Sequence, residues 1–196
     1  MNQRKNIIIV ILVFTLFALS YSNYNSRPKT KWDLIPTLPP SDDGRNTYFN
    51  KDTNNVDAFS LIYGKGIWAT SGFASGSGSD PAKNQVYLEF VQKLIDNSNI
   101  KTIVEIGFGD YGLASRYVIP KGKKYIGYEV VESLMQPNTT YREFRFIHSI
   151  HDIKEKGDLL ICKDVLFHLP NREVKYFLDH VVPLFTYTLL YIKTTK

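Results

Sequence analysis

The feature that most constrains the fold is a short, mostly apolar segment followed at once by closely spaced glycines. Residues 102–106 read Thr-Ile-Val-Glu-Ile, and Gly107, Gly109 and Gly112 follow. Such a run is typical of a buried parallel strand. Glycines after it let the backbone turn sharply and let a ligand approach the main chain. The segment therefore predicts a strand, a glycine turn and a helix over 113–118, the order found in nucleotide-binding α/β folds.

Strand-like and helix-like segments alternate along the rest of the domain. Asp80 and Pro81 predict the start of a helix, because Asp caps helix N-termini and Pro suits the first helical position. Pro170 predicts the start of a second helix. The other predicted strands cover residues 125–128, 144–150, 158–162 and 187–192. Strands that alternate with helices predict an α/β fold with a doubly wound, parallel sheet.

The N-terminal segment is apolar enough for membrane targeting. Residues 7–19 are apolar except Thr15, and Arg4 and Lys5 precede them. A basic start followed by an apolar core is typical of a signal peptide, although an uncleaved anchor has the same pattern. We expect one of the two over residues 1–21, which would place the protein in a membrane or, after cleavage, make it secreted. Basic residues flank both ends, so the orientation is not predicted.

The composition divides the rest of the chain into a linker and a domain, and the distribution of charge argues against a nucleic-acid partner. Residues 22–55 are rich in Asn, Ser, Pro, Lys and Asp without periodicity, which predicts a linker before a domain over 56–196. The net charge of +5 comes from residues 1–31, which hold five basic residues and no acid. The domain is therefore electrically balanced, and we expect no nucleic-acid partner. Cys162 is the only cysteine, which excludes a disulfide framework and a cysteine-based zinc cluster.

Polar residues follow two of the predicted strands. Glu129 ends the second strand, about twenty residues after the glycine turn. An acid there can accept hydrogen bonds from both hydroxyls of a ribose. Lys163 and Asp164 follow the fourth strand, at the sheet edge where parallel sheets bind ligands.

These motifs together resemble those of small class I methyltransferase-like proteins, which are frequent in large DNA viruses and some microbes. The resemblance spans about residues 58–192. The matching motifs, in order, are Ile67-Trp68, the Ser-Gly loop 75–79, the turn from Glu105 to Asp110, the strand from Tyr125 to Val131, and Lys163-Asp164-Val165-Leu166-Phe167-His168. The resemblance implies a Rossmann-like fold and S-adenosylmethionine as the methyl donor, with an unknown acceptor.

The resemblance also implies roles for eleven residues. Near the methionine part of the donor we expect Glu105, Gly107 and Gly109; near its ribose Glu129; and near its adenine His148 or Ser149. Asp110 and Val130 are expected to contact the donor as well. Lys163, Asp164 and His168 would line the cleft where the acceptor arrives. His168 could take a proton from the acceptor and Asp164 could orient it, or His168 could be an ordinary residue at a helix start.

Three departures from the family pattern lead to further expectations. Phe108 stands where the family usually has a small residue, so its ring would point into the core or partly fill the donor pocket. Pro137 interrupts the link after the second strand, which predicts a reduced helix or none. The chain stops at Lys196, after the fifth strand, so we expect the family's last two strands to be missing. The fifth strand would then have an exposed edge through which the chain could associate.

Three functional hypotheses remain open at this point. The first is an S-adenosylmethionine-dependent methyltransferase. The second is a non-catalytic, membrane-tethered module with the same fold. The third is a nicotinamide-dependent oxidoreductase, because the same three glycines match the dinucleotide-binding fingerprint.

Overall fold

The computed structural model describes residues 8–13, 54–70 and 72–192. The strands are β1 (Ile8–Val13), β2 (Thr102–Ile106), β3 (Lys124–Glu129), β4 (Arg142–Phe146), β5 (Gly157–Lys163) and β6 (Phe185–Ile192). The helices are α1 (Asn55–Gly64), α2 (Gln85–Asp96) and α3 (Asn171–Tyr176). A π-helical turn over Phe177–Val181 and a 3-10 turn over Val182–Leu184 continue α3 up to β6.

The strands form one sheet with the order β1-β6-β5-β2-β3-β4, in which every pair is parallel. Counted from β2, the five later strands lie in the order third, second, first, fourth, fifth, as in doubly wound folds. The chain reverses its winding direction between β2 and β5, where Ile103 lies opposite Leu159. The predicted doubly wound, Rossmann-like parallel sheet is therefore confirmed.

Both faces of the sheet are covered. On one face, Val91 and Ile95 of α2 join a buried cluster that includes Ile161 of β5. On the other face, Phe177 and Val181 pack in a cluster that includes Leu160 of the same strand. Because neighbouring side chains of β5 enter opposite clusters, its central residues 159–162 are all apolar.

The predicted helix over 113–118 is wrong, since the chain forms only a 3-10 turn over Ala114–Arg116. Ile119 precedes Pro120, and a residue before proline is disfavoured in helical conformation. Arg142 of β4 compensates for the missing turns, because its guanidinium donates to the carbonyls of Ala114 and Tyr117.

The predicted start of α2 is also displaced. Asp80 accepts a hydrogen bond from the amide of Ala82 and caps a 3-10 turn over Pro81–Lys83, and the α-helix begins only at Gln85. The cap and the proline thus act as expected, but on a separate short turn. After β3, the expected reduction of the helix is observed as a 3-10 turn over Glu132–Leu134.

The outer edge of β6 is paired with the N-terminal segment. Residues 8–13 form β1, which runs parallel to residues 187–192. Within the described ranges, no helix is both long and apolar enough to cross a membrane. The sequence predicted an exposed edge on this strand, but β1 covers it. Association through this edge stays a prediction, and so does membrane targeting, because most of the predicted targeting segment and of the linker lies outside the described ranges.

Phe108 points into the core and also lines the cleft at the carboxyl end of the sheet. Its ring is buried, lies 5.3 Å from the Phe144 ring, and covers Gly127 of β3. A Cβ atom on Gly127 would stand 2.8 Å from the Phe108 ring, which is closer than van der Waals contact allows. The large residue in the turn is therefore accommodated by the absence of a side chain on the neighbouring strand.

We expect Gly127→Ala to lower the free energy of unfolding by about 1 to 3 kcal/mol, because it overpacks the contact with Phe108. In a Phe108→Leu background the same change should cost at least about 1 kcal/mol less, which a double-mutant cycle of urea unfolding would measure. Gly64→Ala is the control, because a Cβ at Gly64 meets no atom within 4 Å. Equal costs of Gly127→Ala in both backgrounds would contradict this account of the contact.

Candidate functional site

A cleft of about 320 Å³ opens at the carboxyl ends of β2, β3 and β5, where the winding of the sheet reverses. Doubly wound folds bind ligands at this position. The volume lies at the lower end of the range for small-molecule sites. Ten of the eleven predicted site residues line the cleft: Glu105, Gly107, Gly109, Asp110, Glu129, Val130, Ser149, Lys163, Asp164 and His168.

His148 is the predicted residue that does not line the cleft. Its ring packs edge-on against Phe146 with 4.9 Å between centroids, and its amide donates to the Asp152 carboxylate. Asp152 holds this position because it forms a capping box with Ser149. Of the two residues proposed for the adenine, the structure therefore brings Ser149 to the cleft and turns His148 away from it.

The glycine turn requires glycine at its first position. Gly107 has a φ of 72°, and a Cβ atom there would lie 2.4 Å from the Val165 side chain. Its amide donates to the carbonyl of Tyr128, which ties the end of β2 to the end of β3. The turn thus passes directly beneath the segment that follows β5.

Glu129 connects the turn to β3. One carboxylate oxygen accepts a hydrogen bond of 2.9 Å from the amide of Gly109, and the other accepts one of 2.8 Å from the amide of Val130. Burial raises the pKa of this carboxyl group, and the bonds from backbone amides oppose the rise. Each carboxylate oxygen has a second lone pair, so ribose hydroxyls could still donate to it.

The Ser-Gly loop, which could have been a flexible connector, is fastened over the turn. The amide of Ser75 donates to the Asp110 carboxylate, and the amide of Asp110 donates back to the Ser75 hydroxyl. Tyr63 of α1 bonds to the same hydroxyl at 2.8 Å. A Cβ at Gly109 would lie 2.5 Å from this oxygen, so glycine is needed for the loop to approach.

Five of the six backbone amides from Gly107 to Gly112 donate hydrogen bonds within the protein. Besides the bonds from Gly107, Gly109 and Asp110, the amide of Gly112 donates to the Asp110 carboxylate and that of Tyr111 to the carbonyl of Phe108. A dinucleotide is held by such amides and by a helix N-terminus, which bind its pyrophosphate. This turn, which leads only into a 3-10 turn, therefore suits a nucleoside ligand without phosphate groups.

Glu105 lies on the α2 face of the sheet among tyrosines. Tyr125 donates to its carboxylate at 2.7 Å and Tyr117 at 3.4 Å, and Tyr87 bonds to Tyr117. Burial raises the pKa of Glu105 to about 7, against the lowering effect of the two tyrosine hydroxyls and of Lys163. Most of the Glu105 carboxylate is thus engaged within the core, although the residue borders the cleft.

Lys163 and Asp164 are held by the surrounding loops. The Lys163 ammonium pairs with the Asp164 carboxylate and donates to the carbonyl of Gly78 at 3.1 Å. It also lies 5.6 Å from the centroid of the Tyr87 ring and 5.3 Å from that of Tyr191. With Lys163 buried, these contacts anchor the Ser-Gly loop to β5.

His168 belongs to an aromatic cluster that the sequence analysis did not assign to the site. Its ring stacks on Trp68 with 4.8 Å between centroids and meets Phe59 edge-on at 6.0 Å. Phe59 and Tyr63 both line the cleft from α1. They are four residues apart, so they share one helix face, a spacing that could have indicated this wall. In the described ranges, no cluster of three or more His, Cys, Asp or Glu residues could hold a metal ion.

No protein-family model matches the chain, and no curated protein matches it. A solved structure of a protein assigned as a caffeoyl-CoA O-methyltransferase, from Staphylococcus aureus, is 13% identical over 68% of this chain, with a TM-score of 0.42. The chain spans 62% of that protein.

A second solved structure, that of the 16S rRNA methylase ArmA, is 16% identical over 69% of this chain and 74% of its own, with a TM-score of 0.37. Both TM-scores are low. The fold assignment therefore rests on the strand order, and the activities of these two proteins are not transferred to this chain.

We expect the stability of the protein to fall as pH rises through neutrality, because Glu105 must then ionise inside the core. Its pKa of about 7 in the folded state exceeds the ordinary value of 4.5, so its favourable contribution is complete below pH 4.5 and lost above pH 7. From pH 5 to 8 the free energy of unfolding should fall by roughly 2 kcal/mol more in the wild type than in Glu105→Gln. Urea unfolding at both pH values measures this.

The control for this experiment is Glu89→Gln, which changes an exposed acid of α2. It should keep the pH dependence of the wild type. If the free energy of unfolding changes equally with pH in the wild type and in Glu105→Gln, the Glu105 carboxyl group is not the one that titrates in the core.

Proposed function

We propose that the cleft binds S-adenosylmethionine and that the protein transfers its methyl group to an acceptor. The observation that carries this proposal is the chemistry of the cleft lining. Four carboxyl groups line it (Glu105, Asp110, Glu129 and Asp164), whereas Lys163 is the one lysine or arginine among the lining residues. S-adenosylmethionine is a nucleoside with a sulfonium cation and no phosphate, which suits an acidic cleft whose turn amides are already bonded.

The residues present fit the parts of this donor. Glu129 would hold the ribose hydroxyls through the free lone pairs of its carboxylate. Val130, Ser149 and Ile150 would border the adenine, since they follow β3 and β4 and line that side of the cleft. Glu105 and the glycine turn would lie beside the amino-acid part.

The donor supplies a methyl group bound to a positively charged sulfur, ready for in-line attack. The protein must hold the acceptor in line with the methyl–sulfur bond and exclude water. The correct alignment of the two reactants supplies much of the rate enhancement in such transfers. His168 would take the acceptor's proton if the acceptor loses one, and Lys163 and Asp164 would shape the entrance.

A second candidate, a non-catalytic module of the same fold, is favoured by one observation. The residues predicted to act on the acceptor already have structural contacts: Lys163 with Asp164 and Gly78, and His168 with Trp68. In this proposal the domain binds the donor or a partner and is tethered to a membrane through residues 1–21, which requires residues 8–13 to leave their pairing with β6. A nicotinamide dinucleotide fits less well, because the turn amides that would bind its pyrophosphate are bonded within the protein.

Calorimetric titration of the full chain tests the proposal. We expect S-adenosylmethionine and S-adenosylhomocysteine to bind with micromolar dissociation constants, and NAD to bind at least about a hundredfold more weakly. Glu129→Ala should weaken donor binding by at least about tenfold, because it removes charged hydrogen-bond acceptors. His148→Ala, on the same sheet edge but outside the cleft, should bind the donor like the wild type.

The outcomes separate the candidates. Tight NAD binding, or no binding of either sulfur compound by a folded sample, would overturn the proposal. Donor binding without methyl transfer to any of a broad set of acceptors would favour the non-catalytic module over the enzyme.

A further inference from the structure

The cleft has two chemically different ends. The residues that follow β3 and β4, which include Val130, Ile147 and Ser149, form one end. The segment after β5 and the region of α1 form the other. If the nucleoside part of the donor occupies the first end, as proposed above, the acceptor must enter at the second.

The second end is lined by aromatic rings. Phe59, Trp68, Phe167 and His168 all border the cleft, and we call them the aromatic wall. Trp68 and His168 are stacked at an interplanar angle of 28°, Phe59 meets both rings edge-on, and the Phe167 ring lies 3.9 Å from that of His168. Phe167 is 41% exposed, although large apolar side chains are more often buried.

The charges around this wall select against anions. Lys163 is the one lysine or arginine that lines the cleft, and its ammonium is already paired with Asp164 and bonded to the carbonyl of Gly78. Three further carboxyl groups line the same cleft toward the donor, and of these Glu105 is only partly ionised at neutral pH because burial raises its pKa to about 7. A phosphate or carboxylate on the acceptor would thus enter a negative field without a cationic partner, whereas a cation would be attracted both by the field and by the ring faces.

We propose, on the basis of the function proposed above, that the acceptor is an aromatic amine whose ring packs against the aromatic wall. The amine arrives as an ammonium ion, which the acidic cleft and the ring faces attract. It releases one proton to His168, which lines the same end of the cleft, and the freed nitrogen lone pair forms a bond to the methyl carbon. The electrons of the methyl–sulfur bond pass to the sulfur, which becomes a neutral thioether, so the positive charge moves to the methylated nitrogen.

Three probes of similar size distinguish the contribution of the aromatic ring to binding from that of the positive charge. They are 2-phenylethylamine, an aromatic cation; phenylacetate, an aromatic anion; and 2-cyclohexylethylamine, an aliphatic cation. Each is titrated calorimetrically into the full chain saturated with S-adenosylhomocysteine. We expect 2-phenylethylamine to bind at least about fivefold more tightly than phenylacetate, which lacks the cation. It should also bind about fivefold more tightly than 2-cyclohexylethylamine, which keeps the cation but lacks an aromatic ring to pack against the wall.

Variants locate the site. Trp68→Leu should weaken the binding of 2-phenylethylamine by about fivefold or more and leave the affinity for S-adenosylhomocysteine within about twofold. Phe167→Leu changes the exposed residue of the aromatic wall and should also weaken the binding of 2-phenylethylamine. This variant replaces Trp68→Leu in the test if Trp68→Leu does not fold. Tyr141→Leu changes an exposed aromatic residue outside the cleft lining and should bind like the wild type.

Each other outcome overturns a specific statement. Equal affinity for the three probes, tighter binding of phenylacetate, or wild-type binding by both wall variants would overturn the assignment of the acceptor. If no probe binds to a chain that does bind S-adenosylhomocysteine, the acceptor proposal fails and the proposed function stands. If neither sulfur compound binds but 2-phenylethylamine does, the proposed function fails and the amine site remains.

Discussion

The site depends on the hydrogen bonds that Glu129 makes with the backbone amides of Gly109 and Val130. A buried carboxylate is costly unless several donors satisfy it, and these amides do so while fixing the distance between the glycine turn and β3. The turn in turn supports the Ser-Gly loop through the paired bonds of Ser75 and Asp110. Loss of the Glu129 carboxylate would therefore disturb the turn and the loop together, besides removing the predicted contact with the ribose.

The second constraint is steric and explains why large and missing side chains alternate around the turn. Phe108 fits because Gly127 has no side chain, Val165 fits over Gly107, and Ser75 reaches Gly109. In each pair the glycine lets two segments approach more closely than any residue with a side chain would allow. This close packing places the end of β2 against the segments that follow β5 and precede α2, and the cleft is the space that remains between them.

The chemistry of the cleft limits the possible ligands more than its position in the fold does. Reversal of strand order creates a binding edge in every fold of this class, whatever the ligand. In this chain the turn amides are bonded internally, carboxyl groups outnumber ammonium groups, and aromatic rings border one end. These features all favour a cationic nucleoside and a cationic or neutral acceptor over phosphorylated ligands.

The sequence by itself determined the parallel, doubly wound sheet and ten of the residues that line the cleft, because strand periodicity, glycine spacing and the residues that follow each strand are local signals. It did not reveal that the helix after the turn is absent, since Arg142, distant in sequence, satisfies the freed carbonyls. Nor did it reveal the orientation of Phe108, which depends on Gly127. Only the tertiary structure decided that His148 turns away, that Lys163 anchors a loop, and that residues from α1 complete the cleft. These outcomes depend on contacts between segments far apart in the chain, which no local pattern encodes.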